Sequence, residues 1–552
     1  MSRQGVDAGR GYAAVPMAAA GGPGTPDGPD GAVRAFLDIG TNSVRMVIVQ
    51  LAPDGTHQVL VQEKETVRLG EGEFVGGDLR PEAMDRAVVV CRNFADMARA
   101  NGAHELIAVA TAATREARNR LAFTARLRAE AGLEVRTISG REEARLIHLG
   151  VASGLHLGDR RAVFVDVGGG STEVIIGGQH AYEALDSLKV GAIRLANLFL
   201  APGDPGPVSK GCYRRMMDYV RNAALRSAQR LRELPTDLAV AGSGTAETLA
   251  DISARRALGR PRQRDDVLSL KELAAVARWL RKMPLAERRR VPGMNAGRAD
   301  IIVPGAAILE SLFVEFGLTE ARITDRGLRE GLIVDFLAGR DPQHLRRMTV
   351  RERSVLNLGR ACHFDEAHAR SVAHLAAQLF DSAARLALHE YGPAERELLV
   401  HAAMLHDIGT FLSPTRHDRH ASYLVRNADL LGFDGTEIAL IAAVARFHRR
   451  GFPHAGRAEL ADLDERARRA VVLLSVLLRL AESLDRSHAG LVESAAFRRR
   501  GRRSVTLSVR SAAEPTLELW GARQHLPAFQ RAFGCRLKLR CGPAERPAVA
   551  AP

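Results

Sequence analysis

The sequence predicts an α/β protein of two related lobes, followed by an all-helical domain and a small C-terminal α+β piece. Three observations predict it. A strand, acid, glycine turn and second strand occur twice, around Asp38 and Asp166, 128 residues apart, and repetition of a whole supersecondary unit implies two lobes built alike. Helical periodicity alternates with short apolar strands as far as about residue 340, then runs on without strands to about 495. With 552 residues, 46% hydrophobic and 26% charged, the chain has a globular composition but is too long for a single core.

The elements follow in order. Residues 1–32, rich in Gly, Ala and Pro and without a continuous apolar run, read as a disordered tail and not as a signal peptide. The first lobe, 33–155, opens on Arg34-Ala-Phe-Leu-Asp-Ile-Gly, an apolar strand closing on an acid and a glycine. Thr41, Asn42 and Ser43 then lead into the apolar run Val44 to Leu51, completing a hairpin. Helices are predicted over 81–101, 114–131 and 140–153, with short strands at 106–110 and 135–138. The second lobe, 156–340, repeats the opening as Ala162-Val-Phe-Val-Asp-Val-Gly-Gly-Gly-Ser-Thr-Glu-Val-Ile-Ile-Gly. A third glycine turn, Gly242-Ser243-Gly244, follows a strand from Leu238 and opens a helix. After Gly339-Arg-Asp-Pro342 the helical domain spans 345–495. In the last piece, 496–552, the segments Ser504 to Val509, Thr516 to Trp520 and Arg536 to Arg540 alternate like strands.

Lysine and arginine exceed the acids by 14, which favours a polyanionic partner. Only 5% of residues are aromatic, so the stacking platforms of single-strand and RNA binders are missing, and a phosphate-rich ligand fits better than a specific nucleic acid. Five scattered cysteines without CxxC spacing indicate neither a disulfide framework nor a zinc knuckle, which points to the reducing cytosol. No apolar run reaches the roughly 18 residues of a membrane span.

Each loop sets an acid at a strand end before small residues, so backbone N–H groups converge beside a carboxylate. That arrangement holds phosphate together with a divalent cation, here Mg2+. Asp38 and Asp166 would face the metal. Gly40, Thr41, Asn42 and Ser43 in one loop, Gly168, Gly169, Gly170, Ser171 and Thr172 in the other, and Gly242, Ser243 and Gly244 in the third would take phosphate oxygens. One such loop is explained by an ordinary hairpin turn; the repeat is not.

The strings FLDIGTNSVRM, VATAATREARN, ISGREEARLI and DVGGGSTEV occur in this order between residues 36 and 174. They resemble the exopolyphosphatase and guanosine pentaphosphate phosphatase family, within the superfamily of actin, Hsp70, acetate kinase and sugar kinases. The resemblance implies two ribonuclease H-like lobes, a cytoplasmic phosphoanhydride hydrolase, and an interlobe cleft in which Glu143 and Glu116 position and deprotonate water. From spacing alone both glutamates equally suit solvated helix positions paired with arginines. Arg45, Arg115, Lys189 and Arg194 add positive charge near the loops. The expected substrate is inorganic polyphosphate, with guanosine pentaphosphate as the alternative. A kinase or a nucleotide-state sensor of the actin type is the reading from another class. A homodimer is a further expectation.

In the helical domain His368 and the pair His406-Asp407 resemble the donor set of the HD superfamily, with His417, His420 and His448 available for a second ion. The last acid of that motif would fall on Glu482 or Asp485, and a scaffold that binds no metal is the competing reading. Basic runs at 446–450 and 498–503 would suit a long polyanion.

Overall fold

The structure, a computed structural model, describes residues 15–16, 32–52, 54, 56–201, 205–340, 348–449, 451–454, 456–501 and 504–543. The tail expected over 1–32 lies outside these apart from Val15, Pro16 and Ala32, as do Asp341 and Pro342 of the lobe boundary and Arg450, Arg502 and Arg503 of the basic runs. The chain divides into two compact units, Met1–Arg347 and Met348–Pro552.

The first unit holds two six-stranded sheets with one connection path. In one sheet β2 (Ala32–Ile39), β3 (Ser43–Leu51) and β4 (His57–Thr66) form an antiparallel meander. Against β2, β5 (Glu105–Ala110) adds in parallel, and β6 (Val135–Thr137) in turn adds in parallel to β5. The two-residue β1 (Val15–Pro16) pairs antiparallel with β5. In the other sheet β7 (Ala162–Val167), β8 (Thr172–Gly177) and β9 (Tyr182–Leu188) repeat the meander. Then β10 (Leu238–Gly242) adds in parallel to β7 and β12 (Glu320–Ile323) in parallel to β10, while β11 (Val267–Ser269) closes the edge antiparallel to β12. The paths 4-3-2-5-6 and 9-8-7-10-12 are equivalent, so the ribonuclease H-like lobe is built twice. The central strands are apolar on both faces because helices cover both.

Over one face of the first sheet, the helix Pro81–Ala100 begins with proline at its first position and buries Ala83, Met84, Ala87, Val88, Cys91, Phe94, Ala95 and Ala98 at helical spacing. The other face shares a core with the second sheet: Phe36 and Phe164, one from each, pack with the helices Gly140–Ala152 and Leu328–Arg340 between them. These two helices cross at glycines. A Cβ on Gly150 would lie 2.0 Å from the Gly327 carbonyl oxygen, and one on Gly331 1.9 Å from that of Leu146. Backbone therefore meets backbone at this crossing.

In the second unit the helices Val350–Ala361, Glu366–Arg385, Pro393–Leu405, His417–Asn427, Gly435–Arg446 and Glu465–Ser483 share one core with a three-stranded sheet. That sheet comprises β13 (Val492–Gly501), β14 (Ser504–Ser511) and β15 (Arg536–Pro543). The strand expected at Thr516 to Trp520 is instead a helix, Thr516–Arg523, followed by a second, Leu526–Phe533. The reason is topological. β14 and β15 pair in parallel, and a parallel pair needs a crossover that returns the chain to its starting end. Five alternating residues were too short a window to separate periods of 2 and 3.6.

Candidate active site

The two hairpin loops close in the same way, with the Gly40 amide donating to the Ser43 carbonyl at 3.1 Å and the Gly168 amide to that of Ser171 at 3.0 Å. They also touch each other. A Cβ on Gly169 would come within 3.0 Å of Thr41 Cβ, and one on Gly170 within 2.8 Å of Thr41 Oγ1, so side chains there would force the lobes apart. Among the described residues, the amides of Thr41, Asn42, Gly169, Gly170 and Ser171 donate to no protein acceptor. Asp38, Gly40, Thr41, Asn42, Ser43, Arg45, Glu143, Asp166, Gly168, Gly169, Gly170, Ser171 and Ser243 line one narrow cleft. Ser243 stands in the left-handed region at φ 71, its hydroxyl donating to the Val167 carbonyl, a strained residue where the third turn meets the cleft.

Carboxylates crowd this cleft. Asp38 is buried, and its Oδ1 has no hydrogen-bond partner. Burial raises it to about 6 against the pull of Arg45. Asp166 is likewise raised to about 6 by burial. Glu143 lies in the first turn of its helix, which Ser139 caps by accepting from the Glu142 amide at 3.2 Å. Its Oε2 accepts from Arg115 at 2.8 Å, yet burial, with the charges of Asp38 and Asp166 behind it, raises it to about 7. Glu173, buried on β8, is pushed well above its ordinary value by burial and then by Glu143 and Asp166. An orphaned carboxylate oxygen among four acids, with all-oxygen donors, fits a hard divalent cation such as Mg2+.

Other expected residues stand back from the cleft. Glu116 is not in its lining: Arg194 donates to it at 2.8 Å and Lys189 lies at 3.6 Å. Arg194 also donates to the Gly170 carbonyl and sits 4.0 Å over the Phe74 ring. Thr172 is buried, its hydroxyl donating to the Val190 carbonyl at 2.7 Å. Gly242 and Gly244 back the site: a Cβ would meet Asp166 Oδ2 at 3.0 Å from the first and the Arg298 guanidinium at 2.5 Å from the second.

Glu173, Arg298, Asp325 and Arg326 line the cleft without having been expected. For Glu173 the signal was in the repeat: ladder pairing sets Asp38 opposite Arg45 and Asp166 opposite Glu173, seven residues on in each loop. Arg298 and the Asp325-Arg326 turn come from distant segments with no motif of their own. In the second unit His368, His406, Asp407, His417 and His448 gather into one cluster, and His420 stays outside it. Asp485, not Glu482, bonds His368, at 2.9 Å.

The chain matches the Ppx/GppA phosphatase family over residues 47–339 and domain III of the Ppx/GppA phosphatases over 350–515. Among solved structures it is similar to an exopolyphosphatase from Cytophaga hutchinsonii, at 27% identity and TM-score 0.52, covering 56% of this chain and 98% of that one. It is also similar to an exopolyphosphatase-like protein at 26% identity and TM-score 0.50, covering 55% and 97%. Among the described residues no helix is long and apolar enough to cross a membrane. Two lobes on one path, paired acid-and-glycine loops meeting at one cleft, and matches across both units together establish that the chain belongs to the Ppx/GppA phosphatase family and is a phosphoanhydride hydrolase.

Proposed function

We propose that the chain is an exopolyphosphatase that releases terminal phosphate from inorganic polyphosphate. The observation that carries this reading is the convergence, in one cleft, of unengaged loop amides with the carboxylates Asp38, Glu143, Asp166 and Glu173. The loop amides, with Arg45 and Arg298, orient the terminal phosphoryl group and spread its charge. Glu143 accepts a proton from water as the water oxygen bonds to phosphorus and the bridging anhydride oxygen departs with its electron pair on the shortened chain. Arg115 positions Glu143 through their ion pair. Asp38, Asp166 and Glu173 would hold Mg2+, which supplies positive charge to the phosphoryl oxygens when bound. Glu116, locked to Arg194, fits a role in holding the second loop, since the same arginine bonds Gly170.

A second reading has an observation of its own. A cavity of about 780 Å³ adjoins the cleft, sharing Asn42 and Ile301 with it and lined also by Arg68, Arg80, Asn197, Arg288 and Arg289. That is room for a nucleoside, as guanosine pentaphosphate would require. Among the described residues its lining contains no aromatic ring, which favours a chain of phosphates passing the arginines over a stacked base. Glu143→Gln tests the mechanism: phosphate release from polyphosphate should fall by about 10² to 10⁴, while polyphosphate binding measured by calorimetry persists. Wild-type turnover in this variant would remove Glu143 from the reaction.

A further inference from the structure

The unengaged amides of the second loop are aimed by whatever holds the carbonyls that precede them. In a planar trans peptide the carbonyl of one residue and the amide of the next point in opposite directions, so fixing the first fixes the second. Gly168, Gly169 and Gly170 run straight into Ser171, and all three glycine carbonyls are taken from outside the loop. The Gly168 carbonyl accepts from the Ala192 amide at 3.0 Å, and that of Gly169 accepts from the Ile193 and Arg194 amides at 2.9 and 3.1 Å. These donors form the first turn of the helix Ala192–Phe199. Gly191 lets the helix come so close, since a Cβ there would lie 2.4 Å from the Gly169 carbonyl oxygen. The amides of Gly169 and Gly170 are thereby turned the other way, into the cleft. The third carbonyl, on Gly170, is held by a side chain: Arg194 Nε donates to it at 2.7 Å. The peptide fixed in this way is the one that carries the Ser171 amide. Without that hold it could rotate, because glycine occupies both signs of φ. The first loop achieves the same with backbone alone, its Thr41 carbonyl accepting from the Gly70 amide at 3.0 Å and so turning the Asn42 amide.

We propose that Arg194 is a positioning residue for hydrolysis, fixing the peptide between Gly170 and Ser171 so that the Ser171 amide donates to the phosphoryl group. The proposal rests on the reading of these loop amides as donors to the terminal phosphate. The remaining contacts of the arginine all lie on the first lobe. Its Nη2 donates to Glu116 at 2.8 Å, and its guanidinium sits 4.0 Å over the Phe74 ring. Nε and Nη2 belong to one rigid plane, so the Glu116 carboxylate of one lobe steadies the donor that the glycine loop of the other lobe uses. Arg194 is buried, and in that setting the bond to the Gly170 carbonyl is stronger than it would be in water.

The rival is that Arg194 only joins the lobes, through Glu116 and Phe74. Two substitutions of similar shape separate these roles. Glutamine sets its amide nitrogen where arginine has Nε and keeps a donor for the Gly170 carbonyl, whereas methionine sets a methyl group there; both lose the charge and the bond to Glu116. The experiment measures kcat for phosphate release by the full chain with Mg2+, on long polyphosphate and on guanosine pentaphosphate, with thermal unfolding as the check that each variant is folded. Arg194→Met should lower kcat by about 10² to 10³, the cost of one lost transition-state donor, while Arg194→Gln should stay within about tenfold of wild type. Equal losses in the two variants would overturn the proposal in favour of lobe joining, and so would wild-type kcat in Arg194→Met. Should the methionine variant misfold, Arg194→Gln decides alone, a loss beyond tenfold in folded protein overturning the proposal. The same contrast between glutamine and methionine is expected on whichever substrate the wild type turns over, because the amides meet the terminal phosphoryl group of either. Turnover of guanosine pentaphosphate alone would therefore end the polyphosphate assignment, while the role of Arg194 is read from the contrast on the nucleotide.

Discussion

Glu143 shows how one residue's environment sets its chemistry. A solvated glutamate is too weak a base for water at neutral pH; burial beside Asp38 and Asp166 lifts this one to about 7, near the value general-base catalysis favours. In the cation-free protein the same shifts have a stability consequence. Asp38 and Asp166 rise to about 6 and Glu143 to about 7, so between about pH 4 and 7 the folded state binds more protons than the unfolded chain. Stability must then fall as pH rises through that window. Thermal unfolding of chelator-treated protein should therefore show a lower transition temperature at pH 8 than at pH 5, by about 1–2 °C for each kcal/mol involved. Mg2+, which needs the ionised carboxylates, should restore the loss at pH 8, and Asp38→Asn should flatten the slope. A transition temperature rising steadily from pH 5 to 8 without Mg2+ would refute the assignment of buried protonated acids.

At the scale of elements, the loops were legible because a strand ending in Asp and glycine leaves few other uses for its amides, and the repeat doubled the signal. Glu173 was hidden in plain view inside the second loop, since its partner in the first repeat is Arg45 and the eye follows identity, not ladder position. Arg298 and Arg326 reach the cleft only through tertiary folding, which no local pattern encodes. The glycines also carried a second meaning. Gly169 and Gly170 are small as much for Thr41 of the other lobe as for a phosphate. Gly331 is the sharper test of close packing, with its absent Cβ 1.9 Å from the Leu146 carbonyl oxygen. Gly331→Ala should cost about 1–3 kcal/mol by denaturant unfolding, as overpacking does, and should lower turnover as the cleft opens. Unchanged stability would mean that the two helices adjust freely.

At the scale of the molecule, the two units have separate cores, and a solved exopolyphosphatase is covered over 98% of its length by 56% of this chain. Residues 1–347 alone should accordingly fold cooperatively in calorimetry and release phosphate from short oligophosphates at a rate within about tenfold of the full chain; a truncated chain that folds but is inert would tie turnover to the second unit. On the proposed function, this cleft hydrolyses polyphosphate with water as the acceptor. The most direct test is kcat/KM for phosphate release by the full chain, measured side by side on long polyphosphate and on guanosine pentaphosphate with Mg2+ and no added acceptor. Multiple turnovers on polyphosphate, with kcat/KM at least about tenfold higher than on the nucleotide, about 1.4 kcal/mol of transition-state preference, are predicted. A higher kcat/KM on guanosine pentaphosphate, or release that stops after a single turnover on both, would contradict it.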